Sequence, residues 1–434
     1  MKKYEKYKEV GLPWLKEVPE GWGVKPNKVF LKYQKNVVGK KADSYELLSL
    51  TKLGIRIKGN NDFSGKMPDN FENYQIVEKG QLVMCLFDLD ISAVFSGLSN
   101  YTGKITSAYD VFNIYGANHR FADYYFRYIF QDRKYKLYSK SVRYTITKDD
   151  FRNLKTPIPP LHEQEHIANF LDWKISEIDK LINLEKAKQE RLDELEEKTI
   201  EYYLFTGVNK NCSMKAIESS YMKEVPKLWD LCKISQLFKI QKRIANQLGF
   251  DVLSITQSGI KIKDISKNEG QMASDYSKYQ IVEVGDFAMN HMDLITGYID
   301  ISKHRGVTSP DYRVFTVNSD DIVPEYYLYM FQLFYKKRVF YKYGRGAANQ
   351  GRWRLPAKEF LNLYVPLPSK IEQKEIVKKI EEKVNQIDSL RTKIEIQGSY
   401  LEELKQTLIS DAITGKIDVR NIKIPDYTHG KEEA

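Results

Sequence analysis

The sequence contains an internal duplication with a period of a little over 200 residues. Residues 16–19 (Lys-Glu-Val-Pro) return as residues 223–226, and residues 74–78 (Tyr-Gln-Ile-Val-Glu) return as residues 279–283. Solenoid repeats run from roughly 20 to 50 residues, so this period is far too long for a solenoid. The duplication therefore predicts two domain-sized copies, each with its own core. A tandem duplication without functional symmetry is the alternative. The sequence differences between the copies argue against it.

The charge and the aromatic content favour a polyanionic partner. The chain has 434 residues, a formal net charge of +10, 30 tyrosines and 20 phenylalanines. Basic and aromatic residues interleave in residues 124–144 and 326–343. Because lysine and arginine neutralise phosphates and tyrosine hydroxyls donate to them, these stretches are candidates for contact with a sugar-phosphate backbone. Burial of the same aromatic residues in a core is the alternative.

Cysteine usage and hydropathy predict a cytoplasmic protein. The three cysteines, Cys85, Cys212 and Cys232, are too few and too scattered for a disulfide framework or a zinc site. We expect no secretory signal, because residues 1–10 are charged and have no apolar core. No run of residues approaches the roughly 18 apolar positions of a membrane span.

Each copy changes character at a proline-rich hinge. Short segments typical of β-strands come first, and then residues 157–160 read Pro-Ile-Pro-Pro and residues 366–368 read Pro-Leu-Pro. Residues 161–205 contain neither proline nor glycine, and residues 370–414 contain only Gly398. Prolines just before a helix fix the chain without removing an intrahelical donor, so each hinge predicts the start of a long helix.

Apolar residues recur every seven positions in the second helical stretch and, less regularly, in the first. This pattern is typical of a coiled coil. A helix of about 45 residues spans roughly 67 Å and cannot bury its apolar stripe alone. We therefore expect the two helices to pack on each other in antiparallel orientation, with a β-rich domain at each end. The predicted interface residues are Leu171, Ile175, Ile178, Leu192, Leu195, Ile380, Val384, Ile387, Ile394, Leu401 and Leu408.

One short segment matches a metal-site motif. Residues 162–166 (His-Glu-Gln-Glu-His) fit the H-E-x-x-H pattern of zinc proteases, in which His162 and His166 share one helix face. The second copy reads Ile-Glu-Gln-Lys-Glu at residues 371–375, so the repeated element is Glu-Gln and the histidines belong to one copy. A zinc hydrolase is therefore a remote alternative. We expect this chain to have no catalytic centre, no metal and no cofactor of its own.

The succession of a β-rich domain, a Pro-Pro-Leu-x-Glu-Gln hinge and a long helix, repeated once, resembles the specificity subunit of type I restriction-modification systems. Residues 157–164 carry the resemblance in the first copy, followed by Ile167 and residues 170–171 (Phe-Leu). In the second copy residues 366–368 and 372–373 carry it, and the sequence between them departs from the first hinge.

The resemblance implies a protein that reads a bipartite DNA site, with one target recognition domain for each half and a helical ruler between them. It implies double-stranded DNA, two methyltransferase subunits and motor-nuclease subunits as partners, and those subunits would bind S-adenosylmethionine, ATP and magnesium. The expected fold is α+β, with recognition domains at residues 1–157 and 208–366. The long helices are expected at residues 158–207 and 367–415, before a tail at residues 416–434. A stand-alone coiled-coil DNA-binding or scaffold protein is the alternative.

The copies differ most in length shortly before the hinge of each copy, between residues 125 and 151 in the first and between residues 327 and 360 in the second. The offset between them is 205 residues at Tyr74, 202 if Tyr124 is matched with Tyr326, and 209 if Phe151 is matched with Phe360. Because arginine can bridge guanine and asparagine or glutamine can bridge adenine in the major groove, this variable segment is the predicted base reader. The predicted base contacts are Arg143, Arg345, Asn349, Gln350 and Arg352; Lys140, Lys148 and Arg354 are predicted to hold phosphates, and Tyr144 lies among them.

A second candidate surface is the repeated Thr-x-x-Gly-Ile turn. Its basic residues are Lys52, Arg56 and Lys58 in the first copy and Lys261 and Lys263 in the second. Basic surface loops that contact nothing are the alternative for both sets of residues.

Overall fold

The computed structural model describes residues 2–52, 54–59, 70–89, 96–139, 144–264, 275–346 and 353–425. They form two compact units: residues 2–185 with 396–425, called the first unit below, and residues 186–395, called the second unit. The division runs through both long helices, so each unit holds one β-rich copy and one half of each helix. No helix in these ranges is long and apolar enough to span a bilayer.

The β-rich part of the first unit is built on an antiparallel sheet. Its strands are β1 (Tyr7–Leu12), β2 (Leu15–Pro19), β3 (Gly23–Pro26), β4 (Leu31–Gln34), β5 (Leu48–Thr51), β6 (Gly54–Ile57), β7 (Gln75–Val77), β8 (Leu82–Met84), β9 (Ser96–Leu98), β10 (Gly103–Ile105), β11 (Asp110–Ile114) and β12 (Lys155–Ile158). The sheet has the order β4-β11-β8-β9, and the remaining strands form two-stranded pairs. The helices are α1 (His119–Gln131), α2 (Lys148–Asn153) and α3 (Leu161–Thr206), which continues into the second unit.

Helix α1 forms the centre of the first core. Asn118 caps its start by accepting from the backbone N–H of Phe121 at 3.1 Å. Phe121, Tyr125 and Ile129 follow at helical spacing and are almost fully buried, next to Phe112 of the sheet. The interleaved aromatic residues on this helix therefore serve the core, which was the alternative to contact with a nucleic-acid backbone.

The second unit repeats this arrangement. Its strands are β13 (Met214–Ala216), β14 (Glu224–Pro226), β15 (Asp230–Lys233), β16 (Phe238–Gln241), β17 (Leu253–Thr256), β18 (Gly259–Ile262), β19 (Gln280–Val282), β20 (Phe287–Met289), β21 (Ile299–Ile301), β22 (Gly306–Thr308), β23 (Arg313–Val317) and β24 (Tyr364–Leu367). Its helices are α4 (Ile234–Leu237), α5 (Pro324–Lys336), α6 (Val339–Lys342), α7 (Ala357–Asn362) and α8 (Lys370–Ile413), which continues into the first unit. The sheet order β16-β23-β20-β21 matches that of the first unit, which confirms the predicted tandem of β-rich domains.

Within each unit the halves of the long helices run antiparallel. In the first unit Lys405 Nζ lies 2.6 Å from Asp179 Oδ1, and His166 Nε2 lies 2.8 Å from the carbonyl oxygen of Val419. In the second unit Arg391 Nη2 lies 2.7 Å from Asp193 Oδ1. The start of α8 also lies against the end of α3 there, at Gly207. Partner numbers rise along one helix as they fall along the other, as antiparallel packing requires.

Burial of the predicted interface residues follows the seven-residue pattern except at one position. Leu171, Ile178, Ile380, Ile387 and Leu408 are buried, and Ile175, Leu192, Val384, Ile394 and Leu401 are half-buried. Leu195 instead is 49% exposed, which differs from the prediction. At its level the contact passes through Glu196, whose carboxylate lies 2.5 Å from the guanidinium of Arg391. An ion pair occupies the place that the pattern assigned to leucine.

The repeated Glu-Gln element anchors each long helix to its own domain. Glu163 accepts hydrogen bonds from Trp22 Nε1 at 2.9 Å and from the Tyr4 hydroxyl at 2.5 Å. Glu372 accepts the matching bond from Trp229 Nε1 at 2.9 Å. The neighbouring glutamines, fully buried, each accept from the backbone N–H that precedes α1 or α5 and donate to a hinge proline carbonyl. Buried polar groups are thereby satisfied at both hinges.

These contacts argue against the remote zinc alternative at residues 162–166. The Glu163 carboxylate is engaged by the N-terminal segment, His166 faces the Val419 carbonyl, and His162 is exposed. Within the described ranges no three histidine, cysteine or acidic side chains are grouped to hold a metal ion. The segment is a helix anchor.

Candidate nucleic-acid interface

Each unit presents a basic hairpin at the edge of its sheet. Strands β5 and β6 turn at Gly54 (φ +106°), and strands β17 and β18 turn at Gly259 (φ +99°), conformations that glycine adopts readily. The predicted basic residues lie on these hairpins: Lys52, Arg56 and Lys261 are exposed, and Lys58 and Lys263 are half-buried. In the second unit Asp300 of β21 accepts from Ile260 N at 3.1 Å and fixes the hairpin on the sheet.

In the second unit, two predicted DNA-binding arginines lie opposite each other at the base of the variable loop. Arg345 and Arg354 exchange both backbone hydrogen bonds, at 2.7 and 3.0 Å, as an isolated antiparallel bridge. Both side chains are exposed, and Arg345 also pairs with Glu359 at 2.6 Å. Two exposed arginines on one backbone bridge put positive charge at the base of the loop, which suits an anionic partner. Asn349, Gln350 and Arg352, predicted on the loop between them, lie outside the described residues.

In the first unit the corresponding loop ends at Tyr144. The residue has a positive φ of 46°, and its carbonyl accepts from Leu89 N at 3.2 Å. Lys136 lies over its ring, with Nζ 4.5 Å from the centroid. At the equivalent place in the second unit Trp353 packs on Tyr341, with centroids 5.5 Å apart. Lys140 and Arg143, predicted just before Tyr144, lie outside the described residues.

The structure corrects the register in which the two helices α1 and α5 were matched. Both helices have 13 residues, and both are followed by a left-handed arginine, Arg133 at φ 53° and Arg338 at φ 55°. The offset is thus 205 along the whole helix, and pairing Tyr124 with Tyr326 at 202 is wrong by nearly one turn, because both helices are rich in tyrosine. The extra four residues of the second copy fall after Arg338, in the variable loop.

Lys148 is engaged within its own domain. Its ammonium group lies 3.0 Å from Asp110 Oδ1 and 2.7 Å from the Tyr33 hydroxyl. Burial raises the pKa of Asp110, while Lys148 acts in the opposite direction. The predicted phosphate contact therefore carries a charge that is already paired, although half of its side chain remains exposed.

The sequence did not predict a buried cationic group in the second unit, beside Leu355 and Phe360. Arg313 is 5% exposed, donates to the Leu355 carbonyl at 2.7 Å and stacks over Phe360 at 5.1 Å. Leu355 N in turn donates to the His291 carbonyl at 2.9 Å. Burial lowers the pKa of Arg313 to about 10. Burial and the charges of Arg313 and Arg354 lower the pKa of His291 to about 3.

Acidification from pH 7 to pH 5 is expected to destabilise the second unit by about 2 kcal/mol through His291. The unfolded chain takes up a proton near pH 6.5, whereas the folded imidazole stays neutral down to about pH 3. The stability from this group is therefore complete above pH 6.5 and is lost as the pH falls. Urea unfolding at both pH values would show the loss in the wild type and a smaller one in His291→Gln. The exposed His304 provides the control, since His304→Gln should keep the wild-type slope; an unchanged slope in His291→Gln would contradict the assignment.

Comparison with known proteins gives one consistent family. The model of the type I restriction modification DNA specificity domain matches residues 94–194 and 223–397. The MjaVIII type I restriction enzyme specificity subunit of Methanocaldococcus jannaschii is 26% identical over 295 residues, which cover 64% of this chain and 65% of that protein. The EcoBI specificity subunit of Escherichia coli is 22% identical over 309 residues, covering 64% of this chain and 62% of that protein. The chain thus matches a little under two thirds of the length of these relatives.

One solved structure, from work on the "structural basis underlying complex assembly and conformational transition of the type I R-M system", supports the fold. Its TM-score against this chain is 0.64 at 12% sequence identity. The match covers 92% of this chain and 99% of that chain, so the likeness extends over both units.

Proposed function

Because the chain belongs to the type I restriction-modification DNA specificity family, we propose that it reads an asymmetric bipartite site on double-stranded DNA as the specificity subunit of such a system. Each unit reads one half of the site. Helices α3 and α8 act as the ruler that sets the number of unread base pairs. We place this DNA recognition in the cytoplasm.

The cross-strand pair of Arg345 and Arg354 carries the assignment of the DNA-facing surface. Two exposed arginines on one backbone bridge place positive charge and hydrogen-bond donors where phosphates or guanine edges can be reached. The basic hairpin of the same unit is linked to this surface through the segment around Leu294, which borders Gly344. Gln257 of the hairpin turn approaches Thr296 of that segment at 3.5 Å.

The difference between the loops supports an asymmetric target. The second loop is four residues longer, and it packs its end on Tyr341 where the first uses Lys136. Two readers with one framework and different loops present different donor patterns to the major groove. The two half-sites therefore differ in sequence.

The long helices support the ruler and a docking role. Helices α3 and α8 have 46 and 44 residues, so each spans roughly 65–70 Å, about two turns of DNA. Several of their leucines are about half exposed, which leaves apolar surface on the helices for partner subunits. These are Leu181, Leu184 and Leu404 in the first unit and Leu195 and Leu390 in the second. We assign this exposed apolar stripe to methyltransferase subunits, which bind S-adenosylmethionine, while the motor-nuclease subunits use ATP and magnesium.

Methylation mapping tests the proposal. The chain is expressed with the type I methyltransferase subunit of its own organism, and modified bases are located by single-molecule sequencing of host DNA. The expected result is a split motif with two unrelated halves and a fixed gap. Replacing Arg345 and Arg354 together with alanine should weaken or relax recognition in one half only. A soluble complex that binds DNA but leaves it unmethylated would point to the stand-alone binder instead.

A further inference from the structure

The recognition domain of the first unit is tied to helix α3 at two levels. The first level is the hinge, where Glu163 accepts from Trp22 Nε1 at 2.9 Å. The second lies nine residues further along the helix at Asp172, which accepts from the Tyr124 hydroxyl of α1 at 2.7 Å and pairs with Arg120 of α1. A rise of 1.5 Å per residue places the two levels about 13 Å apart. One attachment leaves a pivot, whereas two attachments along one helix fix its direction.

The second unit does not repeat the pair of Arg120 and Asp172. Helix α5 corresponds to α1 at an offset of 205 residues, and α8 corresponds to α3 at an offset of 209 residues. The equivalent residues are therefore Glu325 and Glu381, both of which are exposed. Two acids cannot form an ion pair with each other, so α5 is not tied to its own long helix in this way.

In the second unit the opposite end of α5 is tied to the other long helix. Lys336 ends α5 and Lys337 follows it. Lys336 lies 3.4 Å from Glu196 of α3, and Lys337 pairs with Glu201 of α3. The Glu196 side chain is 15% exposed and is also bound by Arg391 of α8. Because the hinge of this unit lies on α8, its recognition domain is attached to both long helices.

The first unit lacks the charges for this second kind of attachment. At the equivalent positions Gln131 and Asp132 replace the two lysines, and Lys405 and Ser410 replace the two glutamates. Neither equivalent pair joins a cation to an anion. Each unit therefore has one of two attachments, called the first clamp (Arg120, Tyr124 and Asp172) and the second clamp (Lys336, Lys337, Glu196 and Glu201) below.

Resting on the DNA-reading function above, we propose that the two clamps are positioning elements for the gap between the half-sites, because each fixes the angle of its recognition domain on the long helices. One additional base pair in the gap moves a half-site by about 3.4 Å and rotates it by about 35° around the DNA axis. A recognition domain that turns on its hinge alone accepts more than one gap. The clamps contain no residue of the basic hairpins or the variable loops, so base preference within each half-site does not depend on them.

Methylation mapping in the complex with methyltransferase subunits tests the first clamp. Asp172→Ala removes the acceptor of Arg120 and Tyr124. Methylation of sites with a gap one base pair longer or shorter should then rise about fivefold relative to the cognate gap, the scale expected for one hydrogen bond to a charged group. Asp172→Glu keeps the charge and should stay close to the wild type. Glu177→Ala is the matched control, because its ion-pair partner Lys174 lies on the same helix, at 2.9 Å.

Replacing both Lys336 and Lys337 with glutamine tests the second clamp. This change leaves the bond between Glu196 and Arg391 in place, so the contact between the two long helices is kept. The same relaxation of the gap is expected. Lys198→Gln is the control, since Lys198 pairs with Glu194 within α3 at 3.6 Å.

The proposal is overturned if the folded clamp variants methylate only the wild-type gap, whether or not their melting temperatures fall, or if the controls relax the gap equally. A change of base preference within a half-site would also contradict it. If Asp172→Ala does not fold, Arg120→Gln provides the same test, because it leaves the bond from Tyr124 to Asp172. Failure of the proposed function would look different, since the wild-type complex itself would then methylate no split motif.

Discussion

Replacing Glu163 with alanine is expected to lower the free energy of unfolding of the first unit by about 3 kcal/mol, since two bonds to a carboxylate are lost and two buried donors are left unpaired. Those donors are Trp22 Nε1 and the Tyr4 hydroxyl, both of which bind Glu163. Trp22 is fully buried and Glu163 is 5% exposed, so water does not readily replace the bonds. Because Glu163 lies in the first turn of α3, the loss should also loosen the hinge between domain and helix.

The neighbouring Glu165 gives a matched control. It lies two residues further along the same helix and is exposed, so Glu165→Ala should change the unfolding free energy by less than about 0.5 kcal/mol. Glu163→Gln keeps one acceptor and should give an intermediate loss. Urea unfolding, combined with hydrogen exchange of peptides from residues 2–22, measures these differences. Equal stability of Glu163→Ala and Glu165→Ala would show that the anchor contributes nothing.

The Glu163 anchor also shows which structural features can be predicted from the sequence and which cannot. The repeat of Glu-Gln at both hinges marked the element as structural in both copies, yet its partner Trp22 lies 141 residues before Glu163. The sequence carries no pattern that links such distant residues. The duplication, the long helices and the β-rich domains leave repeats and changes of composition in the sequence, and those features were predicted.

The errors arose where several residues could satisfy the same pattern. Tyrosines recur in α1 and α5, so matching Tyr124 with Tyr326 shifted the register by three residues. The seven-residue pattern assigned Leu195 to the interface, although an ion pair from Glu196 to Arg391 takes that level.

Charged residues were the least predictable part of the candidate site. Lys148 and Arg313 have the same sequence signature as exposed cations, but Lys148 is paired with Asp110 and Arg313 is buried against Leu355 and Phe360. Burial of a charge depends on contacts between strands that are distant in the chain. If the two copies are aligned on their sheet strands, Asp110 of the first copy matches Arg313 of the second. That alignment would have shown that this position is charged in both copies.

Two residues three positions apart on α8 should separate folding from assembly. Ile387 is 5% exposed in the helix contact of the second unit, and Leu390 is 47% exposed on the apolar stripe. Ile387→Asp should cost about 4 kcal/mol of stability, because a charge replaces a buried branched side chain. Leu390→Asp should change stability by less than about 0.5 kcal/mol. The second variant is instead expected to weaken methyltransferase binding by at least about tenfold, the effect of removing a well-packed apolar anchor from an interface.

Asn385→Asp controls for the added charge. Asn385 is exposed on another side of the same helix and contributes no apolar surface, so this variant should keep both stability and methyltransferase affinity. Thermal unfolding of the isolated chain gives the first quantity, and titration of the methyltransferase subunit by calorimetry gives the second. If Leu390→Asp binds as tightly as the wild type, the exposed leucines are not the docking surface. If Asn385→Asp binds as weakly as Leu390→Asp, the effect is one of charge, and the apolar stripe loses its assigned partner.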